Sequence, residues 1–274
     1  MNEQPAAPRP NRPPPRLVSV ERVERLTPHM LRVRLTGESL AGYTMASGPA
    51  SHIKVVLPQD GDDRPFIPDY GPDGPILAEG QKRPLSRTYT PRRWHPEAQA
   101  LDVDFLLHGD GPAASWAKSA QPGSLVAVTN PGGPYNLDAS ATSFVIAGDD
   151  SALPAIGTIL EALPASARAS VLIEVEDSTD EMELESRAQI DVTWLHRGDS
   201  EDPIGALLAS TLRQAKLPAA EAGRIWVGCE AEIMRDLRRW LVFERGWDRK
   251  AIHTHGYWKL GASNHPDHDV GQEI

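Results

Sequence analysis

The 274-residue sequence is poor in cysteine and has no long apolar run. Cys229 is its single cysteine, which excludes an intramolecular disulfide and a zinc site built on several cysteines. No run approaches the roughly 20 apolar residues of a membrane helix, and the N-terminus lacks the apolar core of a secretory signal. We therefore expect a cytoplasmic protein that does not bind membranes, with Cys229 as a buried, inert thiol.

The sequence also has fewer basic residues than acidic ones. Acidic residues outnumber them by 38 to 28, which gives a formal net charge of -10. Nucleic acids and anionic membranes both favour a basic surface, so neither is predicted as a partner. A local basic pocket is still compatible with this balance.

The order of the chain indicates two kinds of structure after a short tail. Residues 1–15 contain six prolines and little to bury, which predicts a disordered tail. Short strand-like runs then alternate with Gly, Pro and Asp clusters, which is typical of a small antiparallel β-barrel. They lie at residues 17–20, 30–35, 53–57, 87–90, 101–107 and 124–128.

Beyond residue 143 the pattern changes. Phe144-Val145-Ile146-Ala147 is a continuous apolar run, as in a parallel strand that is covered on both faces. Helical spacing follows, and strand-like and helix-like segments then alternate, which predicts a parallel α/β sheet. Further strands are predicted at residues 171–175, 192–195 and 225–227, and helices at 153–163, 204–217 and 233–244.

The first segment with recognisable chemistry is Arg87-Thr88-Tyr89-Thr90. On a strand, residues 87 and 89 point to one face and residues 88 and 90 to the other. A flavin needs a cation for its diphosphate, an aromatic face for its ring and a small hydrogen-bonding group near N5, and these residue types supply them. The tetrapeptide alone also fits an ordinary surface strand.

The second segment runs from His108 to Ala117, directly after a predicted strand. Gly109 and Gly111 allow the backbone to approach a ligand closely, and Pro112 suits the first turn of a helix. Free amides and the helix dipole favour an anion there, so the segment predicts a diphosphate site. A plain strand-to-helix connection is the alternative.

The third segment, residues 148–156, follows the first parallel strand, where a dinucleotide fingerprint would lie. It lacks the Gly-x-Gly-x-x-Gly pattern, and Asp149 and Asp150 would repel a diphosphate placed against them. The motif alone therefore predicts no more than a loosely bound nucleotide.

Order, spacing and change of structure together resemble the siderophore-interacting protein family, a branch of the ferredoxin-reductase-like flavoproteins, over nearly the whole chain after the tail. The resemblance rests on residues 51–54, 84–90, 108–117, 148–156 and 256–261. It implies a six-stranded antiparallel FAD-binding barrel over residues 16–139 and a parallel-sheet NAD(P)H-binding-type domain over residues 140–274. It also implies an oxidoreductase that reduces a ferric siderophore through FAD and releases Fe(II).

The resemblance carries roles for individual residues. The flavin's phosphates, ring and N5 edge would be bound by Arg87, Thr88, Tyr89 and Thr90. Further FAD contacts would come from His108, Gly111, Ala113, Ala114 and Ser115. The nicotinamide cofactor would be bordered by Gly148, Asp149, Gly228 and Glu230, and the flavin ring would be shielded by Tyr257 and Trp258.

A basic triad that receives an anionic ferric complex is matched at two positions, Lys54 and Lys259. The third position appears here as Tyr135, within Gly133-Pro134-Tyr135-Asn136. The missing cation favours a hydroxamate complex over a triply charged catecholate.

The donor and the detailed activity stay open at this point. Asp177, Asp180 and Glu181 follow the second parallel strand and disfavour a 2′-phosphate, which favours NADH over NADPH. A small reduced ferredoxin is a third option, and we expect a monomer. A general NAD(P)H-flavin reductase and a flavin-bearing binding protein without turnover are the alternative functions.

Four histidines near the C-terminus are candidate metal ligands. They are His253, His255, His265 and His268. Their spacing supplies no closed ligand set with supporting hydrogen bonds, so no metal site is predicted and they are interpreted as surface residues.

Overall fold

The computed structural model describes residues 13–46, 48–59, 61–71, 74–263, 265–266, 269–271 and 274. Twelve of the fifteen residues of the predicted tail, 1–12, lie outside this part of the chain, and so does His268. The described residues form two large sheets, one antiparallel and one parallel, in that order along the chain. The predicted fold class is therefore confirmed.

The first sheet has seven antiparallel strands. In chain order they are β1 (Arg16–Thr27), β2 (Met30–Thr36), β3 (Ile53–Leu57), β6 (Leu85–Tyr89), β7 (Pro91–His95), β8 (Ala100–Leu106) and β9 (Leu125–Val128). Their order across the sheet is β6-β3-β9-β1-β2-β8-β7. A separate small hairpin is formed by β4 (Asp69–Gly71) and β5 (Gly74–Ile76).

The predicted strand number of six was too low by one. The additional strand is β7, whose sequence Pro-Arg-Arg-Trp-His lacks the alternation of apolar and polar residues that identified the other strands. It pairs only with β8, at the edge of the sheet, and begins with Pro91. Proline is tolerated at the first position of an edge strand because no ladder hydrogen bond is lost there.

One residue forces this sheet to curl. β6 and β7 lie at opposite edges of the sheet, yet only Thr90 separates them in the chain. Because consecutive Cα atoms are about 3.8 Å apart, the two edges must meet at Thr90. The strand that carries the candidate flavin residues therefore runs along the seam of a barrel.

The barrel interior is filled by apolar side chains from alternating positions. Val33, Leu35, Leu101, Val103 and Phe105 are completely inaccessible to solvent. A single helix, α1 (Pro112–Ser119), follows β8 and packs two alanines and the edge of Trp116 against this core. A 3₁₀ turn at Glu38–Leu40 contributes Leu40.

The second sheet is parallel, with strand order β12-β11-β10-β13-β14. Its strands are β10 (Ser143–Asp149), β11 (Arg168–Val175), β12 (Gln189–His196), β13 (Gly223–Glu230) and β14 (Ile252–Trp258). Its helices are α2 (Leu153–Ala162), α3 (Ala206–Gln214) and α4 (Ala231–Arg239). All three predicted helices are present, although α3 is shorter than predicted and α4 ends in a π-helical turn, Trp240–Glu244.

Two apolar clusters cover the faces of this sheet. One contains α2 and residues such as Ile156, Ile159 and Val171, and the other contains α3, α4 and the aromatic ring of Trp240. Cys229 lies in the second cluster with no exposed surface, and burial raises the pKa of its thiol, which confirms the predicted buried thiol. Across the described ranges, every helix is too short or too polar to pass through a bilayer.

Polar contacts join the barrel to the parallel sheet. Arg92 of β7 forms an ion pair with Glu161 of α2 at 2.6 Å. The backbone amide of Ala50, which has a positive φ of 51°, donates to Thr158 Oγ1 of α2 at 2.9 Å. His29, in the turn between β1 and β2, lies 2.7 Å from the buried carboxylate of Asp180. These contacts fix the orientation of the two sheets.

Two buried cross-strand ion pairs support the barrel. Arg32 and Arg34 on β2 lie directly opposite Asp104 and Asp102 on β8, and each arginine contacts both oxygens of its partner at 2.7–2.9 Å. His95 also contacts Asp102, at 2.8 Å. Burial alone would raise the pKa of Asp102, but the hydrogen bonds from Arg34 and His95 outweigh it, so the pKa lies below its ordinary value of 3.8.

Replacement of Asp102 by asparagine should therefore lower the free energy of unfolding by about 2 kcal/mol, because the largely covered guanidinium of Arg34 loses its buried counter-charge and keeps only the more distant, exposed Glu21. A carboxylate with a lowered pKa stabilises the fold fully above its ordinary pKa and loses this effect as pH falls through the lowered value. The difference between wild type and Asp102→Asn should thus be constant above pH 3.8 and shrink below it. Urea titrations across pH measure this difference.

Glu24→Gln is the matched control. Arg22 and Glu24 form an ion pair of 4.0 Å in which both side chains are more than half exposed. Its loss should change stability by less than about 0.5 kcal/mol. Equal effects of the two substitutions would contradict the assigned role of the buried pair.

Candidate functional site

β6 presents two different faces at the seam of the barrel. Lys54 of β3 lies directly opposite Thr88, and its Nζ donates to Thr88 Oγ1 at 2.6 Å. Arg87 and Tyr89 alternate with Thr88 and share the other face. Thr88 therefore lies on one face of the strand and Arg87 and Tyr89 lie on the other, as predicted.

An aromatic series links this strand to α1. The ring of Tyr89 lies 4.4 Å from the ring of Phe105, which lies 5.5 Å from the ring of Trp116 in α1. Burial raises the pKa of the Tyr89 hydroxyl, so the side chain is a neutral phenol at ordinary pH. Tyr89 packs on the core but stays partly exposed, so part of its surface is open to a ligand.

The start of α1 fits a diphosphate. Its N-cap, Gly111, offers no capping side chain, and the first turn contains no acidic residue. A Cβ placed on Gly109 or Gly111 would have no neighbour within 4 Å, so the space in front of the helix is open. Ala113 and Ala114 present backbone amides to this space, and free amides at a helix start bind anions. The residues present therefore fit the phosphates of FAD.

Thr90 and Tyr257 connect the barrel seam to the parallel sheet. Thr90 is buried and lies close to the hydroxyl of Tyr257, near the end of β14. Burial, partly opposed by Thr90, raises the pKa of Tyr257. The structure thus brings together two predicted cofactor residues that are 167 positions apart in the sequence.

Asp149, at the end of β10, accepts four hydrogen bonds through its side chain. One carboxylate oxygen accepts from the backbone amide and hydroxyl of Ser151, and the other accepts from the backbone amide of Glu230 at 3.1 Å and from Trp258 Nε1 at 2.9 Å. Its side chain has no exposed surface, and burial together with the charge of Asp150 raises its pKa to about 7. Asp149 therefore orients Trp258 and its neighbours and does not itself face a ligand.

The glycines at the ends of β10 and β13 are required by packing. A Cβ on Gly148 would lie 2.7 Å from the carbonyl oxygen of Gly228. A Cβ on Gly228 would lie 2.4 Å from the ring of Trp226 and 2.8 Å from that of Tyr257. Both glycines thus allow Tyr257 and the start of α2 to approach the edge where a nucleotide is predicted.

The second acidic residue of the turn, Asp150, is paired. Arg197, directly after β12, contacts Asp150 at 2.5 Å and Glu176 at 3.1 Å. Burial raises the pKa of Asp150, and both Arg197 and the nearby His108 oppose this shift. The repulsion expected between this turn and a diphosphate is therefore compensated from within the protein. The influence of His108 also indicates that the segment after β8 lies near the turn after β10.

The three acidic residues that favoured NADH have internal partners. Asp180 contacts His29, and Glu181 contacts His196 at 2.8 Å. Asp177 accepts hydrogen bonds from the backbone amide and hydroxyl of Thr179, at 2.7 and 2.6 Å, which lower its pKa. Asp180 is buried, so only Asp177 and Glu181 retain surface toward solvent.

Glu230 and Lys259 lie where β13 and β14 end. Glu230 caps α4, since one oxygen accepts from the amides of Glu232 and Ile233 at 2.6 and 3.0 Å. Its other oxygen accepts from the amide of Leu260 at 3.2 Å and so fixes the chain after Lys259. Lys259 Nζ lies 3.1 Å from Glu232, and both side chains are well exposed. Both oxygens of Glu230 are thus engaged within the protein, and its carboxylate holds the chain that carries Lys259.

The predicted substrate contact of Tyr135 is inconsistent with its position. Tyr135 is 7% exposed, packs in the core beside α2, and its ring lies 4.9 Å from that of His253. Burial raises the pKa of its hydroxyl to about 12. The turn that precedes it is held against the barrel by paired hydrogen bonds between His52 and Gly132, and this contact directs Tyr135 inward.

The interpretation of the C-terminal histidines as surface residues was wrong for His265, and His253 is only partly exposed. The side chain of His265 is 7% exposed and lies 2.8 Å from Asp269, which also contacts Arg235 at 2.6 Å. Burial lowers the pKa of His253 to about 4. The cause is that Asp269 and Val270 accept hydrogen bonds from β14, so the chain folds back and covers that edge strand.

Sequence reasoning missed two residues that shape this site. Glu174, in the apolar run of β11, accepts the amides of Gly205 and Leu208 and thereby caps α3. A charged residue within a buried run was the signal that it needed a partner. Arg197 gave no such signal, because only the topology places it against Asp150.

Family models match both halves of the chain. Residues 19–135 match the siderophore-interacting FAD-binding domain, and residues 141–261 match the siderophore-interacting protein model. The chain belongs to the siderophore-interacting protein family. The resemblance inferred from the sequence is confirmed, and so is FAD as the cofactor of the barrel.

Several relatives carry names that state a ferric reductase activity. Ferric vibriobactin reductase ViuB of Vibrio cholerae is 35% identical over 258 residues, which cover 93% of both chains. NADPH-dependent ferric-chelate reductase of Escherichia coli K12 is 30% identical over 246 residues, which cover 89% of this chain and 92% of the relative.

Solved structures agree with this membership. A siderophore utilization protein from T. fusca superposes with a TM-score of 0.82 at 33% identity, covering 92% of this chain and 95% of its own. The ferredoxin reductase of carbazole 1,9a-dioxygenase shares the fold, with a TM-score of 0.63 at 15% identity, covering 89% and 69% of the two chains.

Replacement of Gly111 by aspartate should separate FAD binding from stability. An N-cap aspartate satisfies free amides and should stabilise the FAD-free protein by up to about 1 kcal/mol. Its charge would compete with the phosphates for the same amides and raise the Kd for FAD by at least about tenfold. Calorimetric titration with FAD and thermal unfolding of the FAD-free protein measure the two effects.

Gly111→Asn is the control, since asparagine caps the helix without a negative charge. It should weaken FAD binding much less than aspartate does. Equal FAD affinity of wild type and Gly111→Asp would show that the phosphates lie elsewhere.

Proposed function

We propose that this protein reduces ferric siderophores in the cytoplasm through bound FAD, with a nicotinamide dinucleotide as electron donor, and thereby releases Fe(II). The observation that carries the proposal is the convergence of three elements at the barrel seam: the strand of Tyr89, the open start of α1 and the end of β14. The relatives named as ferric reductases support the same reaction class.

We further propose that residues 16–139 form the FAD-binding domain. In this proposal the flavin is contacted by Arg87, Thr88, Tyr89 and His108, and its phosphates by Gly111, Ala113, Ala114 and Ser115. Thr90 acts through Tyr257, beside which it lies. FAD accepts two electrons as hydride and can pass them on singly, which suits a one-electron acceptor such as Fe(III).

Residues 140–274 form the donor domain in this proposal, and the protein acts as a monomer. The dinucleotide would lie at the carboxyl edge of the parallel sheet, the usual position in such folds. Asp177 remains exposed beside the end of β11 and still favours NADH, whereas one relative is named as NADPH-dependent. Reduced ferredoxin is the remaining donor. Stopped-flow bleaching of the flavin by each of the three identifies the donor.

Lys54 and Lys259 would attract the anionic ferric complex. Both are already oriented, Lys54 by Thr88 and Lys259 by Glu232. Two lysines without a third cation match a hydroxamate complex better than a triply charged catecholate. Oxygen donors bind Fe(III) as a hard ion, so lowering the charge of the iron weakens the complex and releases the metal.

An anaerobic assay tests the reaction. Purified protein with FAD is mixed with NADH or NADPH, a ferric hydroxamate siderophore and a ferrous chelator, and the ferrous chelate is followed by absorbance. Sustained formation of the chelate is the expected result. A stoichiometric spectral change without Fe(II) would indicate a binding protein, and donor oxidation without Fe(II) would indicate a reductase of another acceptor.

The double variant Lys54→Glu/Lys259→Glu should raise the apparent KM for an anionic ferric siderophore by at least about tenfold, because both attractive charges are reversed. The rate of flavin reduction by the donor should not change. Lys216→Glu/Lys250→Glu has the same change in net charge at exposed positions away from the seam and is the control. Unchanged KM in the first variant would remove these lysines from the acceptor site.

A further inference from the structure

The carboxyl edge of the parallel sheet has a high density of carboxylates. Asp149 and Asp150 lie at the end of β10, Glu174 and Glu176 at the end of β11, and Glu230 at the end of β13. A dinucleotide at this edge brings further negative charge on its diphosphate. The edge can accept it only if the carboxylates are compensated within the protein.

Hydrogen-bond donors compensate three of these carboxylates. Glu174 accepts two backbone amides at the start of α3, at 2.7 and 2.8 Å. Glu230 accepts two at the start of α4, at 2.6 and 3.0 Å. Asp149 accepts bonds from Ser151, from Trp258 and from the backbone of Glu230. Both helix starts also favour a negative charge through the helix dipole.

The remaining two carboxylates both form ion pairs with Arg197. The Nη2 atom of Arg197 lies 2.5 Å from Asp150, and its Nε atom lies 3.1 Å from Glu176. The side chains of Arg197 and Asp150 are only 15% and 14% exposed, whereas that of Glu176 is 43% exposed. Water therefore screens Glu176, but Asp150 depends on Arg197 for its compensation.

We propose that Arg197 is a positioning residue for the electron donor: by neutralising Asp150 in the turn between β10 and α2, it makes this turn able to receive the diphosphate of a nicotinamide dinucleotide. The inference rests on the proposed function, since it takes such a dinucleotide as the donor. Arg197 acts through Asp150, because its guanidinium already contacts Asp150 and Glu176 and is largely covered.

The two partners of this ion pair should have opposite effects on dinucleotide binding. Removal of Arg197 leaves the negative charge of Asp150 uncompensated beside the diphosphate. Removal of the charge of Asp150 leaves Arg197 with only the more exposed carboxylate of Glu176 as partner, so more of its positive charge acts on the diphosphate. A purely structural pair would behave differently, because breaking it from either side would disturb the turn and weaken binding in both variants.

The experiment is calorimetric titration of NAD⁺ and of NADP⁺ into the FAD-loaded protein, which measures binding without turnover. Arg197→Met should raise the Kd by about tenfold, and Asp150→Asn should lower it by about threefold, as expected for one unit charge near a diphosphate at partial burial. The double variant Asp150→Asn/Arg197→Met should return close to the wild-type Kd. Visible absorbance of each variant verifies that FAD is retained.

Arg213→Met is the matched control. Arg213 forms an ion pair with Asp236 at 2.5 Å between α3 and α4, with both side chains substantially exposed, and its loss should leave the Kd unchanged. Weaker binding in both Asp150→Asn and Arg197→Met would reduce the pair to a structural role and overturn the inference. If wild-type protein binds neither dinucleotide, the proposed donor fails together with this role. If wild type binds and both variants match it, only the role of Arg197 fails.

Discussion

The contact between Thr90 and Tyr257 is the constraint on which the site depends. Thr90 is the single residue between two strands at opposite edges of the antiparallel sheet, so it marks the line where the barrel closes. Tyr257, next to the last residue of β14, lies beside Thr90. The strand that we propose contacts the flavin and the edge that we propose binds the nucleotide are thereby held close together, which electron transfer between their ligands requires.

Tyr257 can reach this position because neighbouring residues leave space for its ring and orient the residue next to it. Gly228 leaves space for its ring, and Asp149 holds the neighbouring Trp258. Five carboxylates lie at the same edge of the sheet. Backbone amides at two helix starts and the ion pairs of Arg197 compensate most of them. In an acidic chain with a net charge of -10, the carboxylates at this edge thus all have partners within the protein where an anionic ligand is expected.

Much of the architecture was predictable from the sequence, because alternation and continuous apolar runs are local signals. β7 escaped prediction since Pro91 and two arginines mask its strand character. The candidate flavin segments were predictable from residue type and order. The orientation of Tyr135, the partner of Asp180 and the pairing of Asp150 with Arg197 were not, because each depends on which distant strands the topology makes adjacent.

The central claim is that the barrel binds a flavin by its diphosphate at the start of α1, and comparison of FAD with FMN tests it most directly. FMN keeps the ring but carries one phosphate and no adenosine. Titration of the FAD-free protein, followed by quenching of flavin fluorescence, should give an affinity for FAD at least about tenfold higher than for FMN, because only FAD supplies a diphosphate to the helix amides. Equal affinities, or no binding of FAD at saturation, would contradict the account.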